Sequence, residues 1–193
     1  MKAILLSIKP QYCELIVSIQ KKIEVRKSEP KIKPPFKCYI YQTNHKWIYK
    51  FLRSVGFKTV PEKLENARGK VIGEFVCNKI TTIFYGCEIM YGMDYPNKHA
   101  KQLEDDSCLS LKELKHYANA KDIYGWHISG LKIYDKPKEL SEFYYPPDKY
   151  CEKNLCGGCP YDKATIDGEI MYGCEGKRPL IRPPQSWGYV EEL

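Results

Sequence analysis

Short segments rich in β-branched and aromatic residues recur along the chain. They lie at residues 3–8, 22–27, 38–43, 70–80, 81–85, 126–134 and 187–191. Helical spacing of apolar residues is confined to 11–19, 47–55 and 109–118, while residues 86–106 are tyrosine-rich and irregular. Many short strands with few helices between them are typical of a small barrel and unlike an alternating parallel α/β sheet. We therefore predict a mainly β (α+β) fold, a small β-barrel with flanking helices.

Two of the predicted helices have start signals. Pro10 precedes residues 11–19, and proline suits the first helical position because its missing N–H is not needed there. Ser110 precedes the helix that continues to residue 118, and Glu113 follows three residues later, which indicates a capping box.

The segment from Lys22 to Lys27 alternates charged and aliphatic residues. Because side chains alternate between the faces of a strand, Lys22, Glu24 and Arg26 share one face. Three charges on one face indicate either a solvated edge or a binding site.

Positive charge is concentrated in the first part of the chain. The formal net charge is +7, and residues 1–70 contain 16 Lys and Arg against 5 Asp and Glu. Such an asymmetry favours a phosphate-rich partner, because Lys and Arg displace the counterions condensed on a nucleic acid. The alternative is a lysine-rich surface that only keeps the protein in solution.

No apolar run approaches the roughly 18 to 20 residues of a membrane span. The apolar stretch in residues 1–10 is too short for a signal peptide. We therefore expect a soluble, cytoplasmic protein without a membrane partner.

The nine cysteines fall into two groups. In this compartment, five scattered ones are predicted to be reduced thiols: Cys13, Cys38, Cys77, Cys87 and Cys108. Four others, Cys151, Cys156, Cys159 and Cys174, are clustered among glycines that permit tight turns. Four thiolates suit a tetrahedral, structural zinc ion, which would fold an insertion over residues 149–180. A [2Fe–2S] cluster and four independent thiols are the alternatives.

Several motifs, in order along the chain, resemble the ASCH family. They are Leu6-Ser7-Ile8-Lys9-Pro10, Lys21-x-x-Glu24-x-Arg26, Tyr39-Ile40-Tyr41-x-Thr43, Lys70-Val71-Ile72-Gly73-Glu74 and Tyr124-Gly125-Trp126-His127-Ile128. The likeness covers about residues 1–142 and the closing 183–187. It implies a PUA-like barrel over residues 1–148 that is closed by a strand within residues 181–193, and the predicted four-cysteine insertion lies between these two parts.

The resemblance also implies a ligand. Members of this superfamily mostly bind RNA, DNA or modified nucleosides, and we expect a nucleic acid, RNA in preference to DNA, or a modified nucleoside. One ASCH enzyme hydrolyses N4-acetylcytidine with a Lys, Thr and Glu triad, and ribonuclease activity is also ascribed to the family. The triad lysine corresponds to Lys21 and its glutamate to Glu74, whereas Glu24 stands where the threonine would be. A carboxylate cannot replace an activated hydroxyl in that scheme, so binding is favoured over catalysis by Lys21, Glu24 and Glu74.

The expected ligand cleft contains charged and aromatic residues. Lys21, Lys22, Arg26 and Lys27 supply cations within seven residues, and Ser7 and Lys9 lie on a neighbouring strand end by the family's topology. Glu74 lies in an otherwise apolar strand and either meets Lys21 or faces water. Tyr41, Trp126 and Trp187 could stack on a base, with core packing as the alternative. His127 could transfer a proton or bind phosphate, although a single histidine is usually structural.

Overall fold

The computed structural model describes residues 1–44, 66–83, 98–146, 165–166, 169–170 and 179–193. In this part of the chain the strands are β1 (Lys2–Ile8), β2 (Ile23–Arg26), β3 (Phe36–Gln42), β4 (Val71–Ile83), β5 (Ile123–Lys138), β6 (Thr165–Ile166), β7 (Glu169–Ile170) and β8 (Trp187–Glu191). The helices are α1 (Pro10–Val17), α2 (Lys98–Ser107) and α3 (Leu111–Ala118), with a 3₁₀ helix at Leu140–Glu142. No helix in these ranges is long and apolar enough to cross a membrane.

Six strands form one sheet in the order β2-β5-β4-β3-β1-β8. β1 and β3 run parallel, and the other neighbouring pairs are antiparallel. β6 and β7 pair separately. β1 is an interior strand, and its residues from Ala3 to Ile8 are all buried, as expected for a continuous apolar run covered on both faces.

Alternation along β1 divides the apolar core between the two faces of the sheet. Ile4 and Leu6 pack into the first core, which also contains Ile16 of α1. Leu5 packs on the other face in the second core, where the Tyr39 and Phe143 rings meet edge to face with centroids 4.9 Å apart. A period of two residues therefore determines which side of the sheet each side chain stabilises.

The sheet is not closed by a continuous ladder, because β2 and β8 are its two ends among the described strands. Side chains join these ends instead. Arg26 of β2 donates to the main-chain oxygens of Ser7 and Ser186, and Trp187 Nε1 donates to Ser28 Oγ at 3.1 Å. The predicted mainly β fold with flanking helices is confirmed, and the predicted barrel is an open sheet whose ends are linked by side chains.

Two predicted elements differ from the structure. β4 runs from Val71 to Ile83 as one strand, with register shifts along it, where the sequence predicts two. Helix α2 occupies Lys98–Ser107, where the sequence predicts irregular structure. The α2 sequence KHAKQLEDDS contains few apolar residues, so no apolar period marks it as a helix. The helix predicted at 47–55 lies outside the described residues.

Candidate functional site

A cleft of about 840 Å³ lies beside β2, within the roughly 300–1,000 Å³ of typical ligand sites. Helices α1 and α3, the end of β1 and the segment before β8 supply the remaining walls. The lining residues are Ser7, Ile8, Lys9, Tyr12, Lys21, Glu24, Val25, Arg26, Lys27, Ser28, Thr43, Leu109, Lys112, Glu113, His116, Tyr117, Gln185 and Ser186.

The alternation of β2 positions the cleft's charged floor. Ile23 and Val25 pack with Leu114 and Ala118 of α3 in a small apolar cluster. The side chain of Glu24 is nevertheless only 8% exposed. The charged strand face predicted from the sequence is therefore buried, and its Glu24 and Arg26 contact each other, Lys21 and the segments of Ser7 and Ser186.

Lys21 precedes β2, and its side chain is 1% exposed. Its Nζ donates to the main-chain oxygen of Ser107 at 2.5 Å and lies 3.5 Å from Glu24 Oε2 and 5.1 Å from the centroid of the Tyr12 ring. Ser107 is the last residue of α2, where the helix dipole places partial negative charge. The ammonium is thus held by a helix end, a carboxylate and an aromatic face.

Arg26 completes the floor with four contacts from its guanidinium. Nη2 lies 3.0 Å from Glu24 Oε1 and donates to the Ser7 oxygen at 3.0 Å. Nη1 donates to the Ser186 main-chain oxygen at 3.0 Å and to Ser186 Oγ at 3.2 Å. The planar guanidinium suits this role, because its donors diverge toward β1 and the segment before β8.

Two half-buried tyrosines, Tyr12 of α1 and Tyr117 of α3, line the cleft. Burial raises the pKa of both phenols, and the Glu24 carboxylate acts in the same direction. Both hydroxyls therefore keep their protons near neutral pH. Lys27 Nζ lies 5.0 Å from the centroid of the Tyr117 ring, so each tyrosine ring has a lysine ammonium against it.

The exposed rim of the cleft is mainly basic. Lys9, Lys27 and Lys112 are exposed, as is His116. The full lining contains five Lys and Arg against two glutamates. Glu113 is one of these, and its carboxylate accepts from Ser110 N and Oγ at 2.8 and 2.7 Å, which lowers its pKa. This confirms the predicted capping box at the start of α3.

Six of the residues predicted for the ligand cleft line it: Ser7, Lys9, Lys21, Glu24, Arg26 and Lys27. Ser7 contributes mainly through its backbone, because its Oγ donates to the Pro184 oxygen at 2.6 Å. The structure places the other predicted residues elsewhere.

Glu74 requires a correction, because it does not line the cleft with Lys21. It is paired across the sheet with Tyr39, which belongs to the second core. Its Oε2 accepts a hydrogen bond from Tyr134 at 2.5 Å, and this carboxylate raises the pKa of Tyr134 in addition to the larger effect of burial. The Lys21 and Glu74 pair of the enzyme alternative is therefore not assembled.

The aromatic residues predicted to stack on a ligand are packing residues. Trp126 is completely buried in the first core, with its ring 5.6 Å from that of Phe36 and 5.7 Å from that of Trp187. Tyr41 is 7% exposed in the second core. The core-packing alternative thus describes both Trp126 and Tyr41.

Lys22 and His127 also lie outside the cleft lining. Lys22 is exposed, precedes β2 and pairs with Asp106 at 3.3 Å. His127 Nε2 lies 2.8 Å from Thr81 Oγ1 on the neighbouring strand. Burial and the charge of Lys79 lower the pKa of His127, so the imidazole is biased toward its neutral form.

The cleft contains residues that the sequence prediction missed. They include Tyr12 on α1 and Lys112, Glu113, His116 and Tyr117 on α3. The helical period identifies α3 and its buried Leu114, but the position of α3 over β2 depends on long-range packing. The sequence therefore predicts the helix, but it does not predict that the helix forms one wall of the cleft.

The predicted metal ligands Cys151, Cys156, Cys159 and Cys174 lie outside the described residues. In the ranges that the structure does describe, no three His, Cys, Asp or Glu side chains are grouped so that they could hold a metal ion.

No family model matches the chain, and no curated protein matches it. Among solved structures it is similar to ASCH from Zymomonas mobilis, with 17% identity and a TM-score of 0.46, over 72% of this chain and 73% of the other. Two mutant proteins of the same ASCH protein are similar at 16% identity and a TM-score of 0.46. They are matched over 77% and 74% of their chains and 72% of this one. All three are ASCH proteins, the family that the sequence motifs resemble.

Proposed function

We propose that the chain binds RNA in this cleft and holds one nucleotide between α1 and α3. The observation that carries the proposal is the buried charged floor of Lys21, Glu24 and Arg26 beneath a rim of exposed lysines. Burying three charges is costly unless each is paired. A binding site explains why such a group is placed at the base of a cavity large enough for a nucleotide.

The rim suits a phosphate backbone. Lys9, Lys27 and Lys112 are exposed and come from three different parts of the fold. Exposed ammonium groups release condensed counterions when they approach phosphates, and this makes binding depend on salt. The position of these lysines around one cavity favours a ligand site over a surface that only keeps the protein in solution.

The walls suit a nucleobase. Tyr12 and Tyr117 are half-buried and come from different helices. A base that stacks on an aromatic side chain gains about 1–3 kcal/mol. Aromatic walls, a basic rim and polar floor groups together fit a single-stranded nucleotide.

Hydrolysis by Lys21 and Glu74 is not supported as an alternative. Lys21 lines the cleft, whereas Glu74 is bound to Tyr134 on the side of the sheet that holds the second core. A modified nucleoside such as N4-acetylcytidine remains compatible with the cleft as a bound ligand.

Fluorescence anisotropy with a labelled single-stranded RNA tests the proposal. In the rim variant, Lys9, Lys27 and Lys112 are changed to alanine. In the matched control, the exposed Lys79, Lys121 and Lys136 outside the cleft are changed to alanine, which removes the same charge. The rim variant should bind more weakly, and its slope of log affinity against log salt should fall by about 2, since each single-strand contact contributes about 0.7.

The control variant should keep the affinity and salt slope of the wild-type protein to within about 0.7 in slope. Equal losses in the two variants would mean that RNA is attracted by net charge and not by the cleft. The absence of binding to the wild-type protein at low salt would remove the proposal altogether. A DNA strand of the same sequence, measured in parallel, compares the two nucleic acids.

A further inference from the structure

Two polar atoms of the cleft floor are left without hydrogen bonds. Within the described part of the chain, neither Glu24 Oε2 nor Arg26 Nε has a hydrogen-bond partner, and both atoms are buried. Their side chains are 8% and 7% exposed. Glu24 Oε2 has only the ion pair with Lys21 at 3.5 Å. Buried polar groups are nearly always hydrogen-bonded, so these two atoms call for an explanation.

The other charged atoms of the floor have partners. Glu24 Oε1 pairs with Arg26 Nη2, and both Nη atoms donate to main-chain oxygens. Lys21 Nζ donates to Ser107 and lies against Glu24 and the Tyr12 ring. One anionic acceptor and one cationic donor therefore remain, on two residues of the same strand face.

A ligand that satisfies both atoms must carry a donor and an acceptor. A phosphate group supplies acceptors without a strong donor, and it would be repelled by the Glu24 carboxylate. The Watson–Crick edge of a base presents a donor beside an acceptor, such as N3–H beside O4 in uridine. A planar edge also fits between tyrosine walls better than a ribose ring does, because aromatic rings stack on base faces.

We propose that the cleft floor binds the Watson–Crick edge of an unpaired base through Glu24 Oε2 and Arg26 Nε, while the rim lysines hold phosphates. This inference rests on the proposed RNA binding and specifies it further. A base engaged in this way cannot be paired at the same time. The ligand is therefore an unpaired nucleotide, in a single strand, a loop or free in solution, and not a duplex.

The test uses modified ligands and the unaltered protein, so that it does not depend on the folding of a variant. Labelled oligouridine is compared with the same strand in 3-methyluridine, where a methyl group replaces the N3 proton. The control is the strand in 5-methyluridine, which carries one methyl group on C5 and keeps the Watson–Crick edge. The 3-methyl strand should bind about tenfold more weakly or worse, the range expected when paired contacts to a base edge are lost, and the 5-methyl strand should bind within about twofold of oligouridine.

Equal affinity for the 3-methyl and 5-methyl strands would overturn the inference and would point to recognition of the ribose or phosphate instead. A duplex of the same sequence that binds as tightly as the single strand would also overturn it. In both outcomes the proposed RNA binding would stand. If the protein binds none of the strands at low salt, the proposed function itself fails.

Discussion

Replacing Arg26 by methionine should destabilise the fold strongly, because this residue links the two ends of an open sheet. Its guanidinium joins β2 to the Ser7 oxygen of β1 and to Ser186 before β8. Methionine keeps an unbranched stem of similar length but offers no donors. The variant therefore removes the hydrogen bonds and the ion pair while it keeps much of the packing.

The size of the expected loss in unfolding free energy follows from the groups that stay buried after Arg26 is replaced. Removing one partner of a buried ion pair costs about 3–5 kcal/mol, because the other charge stays uncompensated. Here Glu24 keeps Lys21 as a neighbour at 3.5 Å, which reduces the cost. The oxygens of Ser7 and Ser186 lose charged donors, and such hydrogen bonds contribute about 1.5–3 kcal/mol each. These terms overlap, and we expect a loss of about 4 kcal/mol, a large share of the roughly 5–15 kcal/mol of a typical domain.

Urea unfolding followed by tryptophan fluorescence measures this loss. Trp126 and Trp187 are close to each other near the joined ends, so their emission reports on this region. The control is Arg182→Met at an exposed position, which should change the stability by less than about 0.5 kcal/mol. A cost below about 1 kcal/mol for Arg26→Met, the value of a surface ion pair, would refute the linking role. Adding Glu24→Gln to Arg26→Met should cost less than the sum of the two single changes, because the pair is coupled.

Three further predictions concern other parts of the chain. Ile19 is 70% exposed with a φ of 61°, and Ile19→Gly should raise the free energy of unfolding by about 1 kcal/mol by relieving left-handed strain, which a higher urea midpoint would reveal. Ser110→Ala should cost about 1 kcal/mol at neutral pH. Hydrogen bonds from Ser110 hold the pKa of Glu113 below its ordinary 4.5, so this stabilisation is present above pH 4.5 and should fade as the pH falls through the folded pKa. The four clustered cysteines are proposed to bind one structural zinc ion, and metal analysis by mass spectrometry should find one zinc per chain in the wild type and less in Cys156→Ser. Iron in its place would indicate the iron–sulfur alternative.

The core of the site could be predicted from the sequence because its parts are local. Lys21, Glu24 and Arg26 lie within six residues, and strand alternation alone places Glu24 and Arg26 on one face. The strands β1 and β8 and the cap of α3 could likewise be predicted from the sequence, because short-range patterns determine them. Such signals do not depend on how distant segments pack.

The face on which Glu74 lies could not be predicted, because the pairing along β4 is irregular. The β4–β5 ladder shifts register between Val71 and Gly73 and again between Glu74 and Val76. A side-chain period of two applies only to an unbroken ladder, and each bulge disturbs it. Gly73 lies so close to β5 that an added Cβ would be 2.4 Å from the Lys132 oxygen. Nothing in the sequence around Glu74 marks these shifts.

The cleft wall formed by α3 could not be predicted from the sequence for a different reason. Tyr117 is 93 positions after Glu24, and their proximity depends on the packing of Leu114 and Ala118 against β2. The role of Trp126 could not be predicted either, because a tryptophan on a strand is equally suited to core packing and to stacking on a ligand. Only its complete burial distinguishes the two roles.

In the proposed binding site, Glu24 determines which ligand chemistry the floor supports. Without Glu24, the two cations Lys21 and Arg26 would attract a phosphate group. The Glu24 carboxylate weakens this attraction and adds a hydrogen-bond acceptor to the floor. Lys21 is held by Ser107 and Glu24, and the Nη atoms of Arg26 join the ends of the sheet. A ligand that accepts from Arg26 Nε therefore restrains the same guanidinium that links β2 to β1. Any ligand that binds only the folded chain raises its stability, and one bound at this guanidinium would act where the two ends of the sheet are joined.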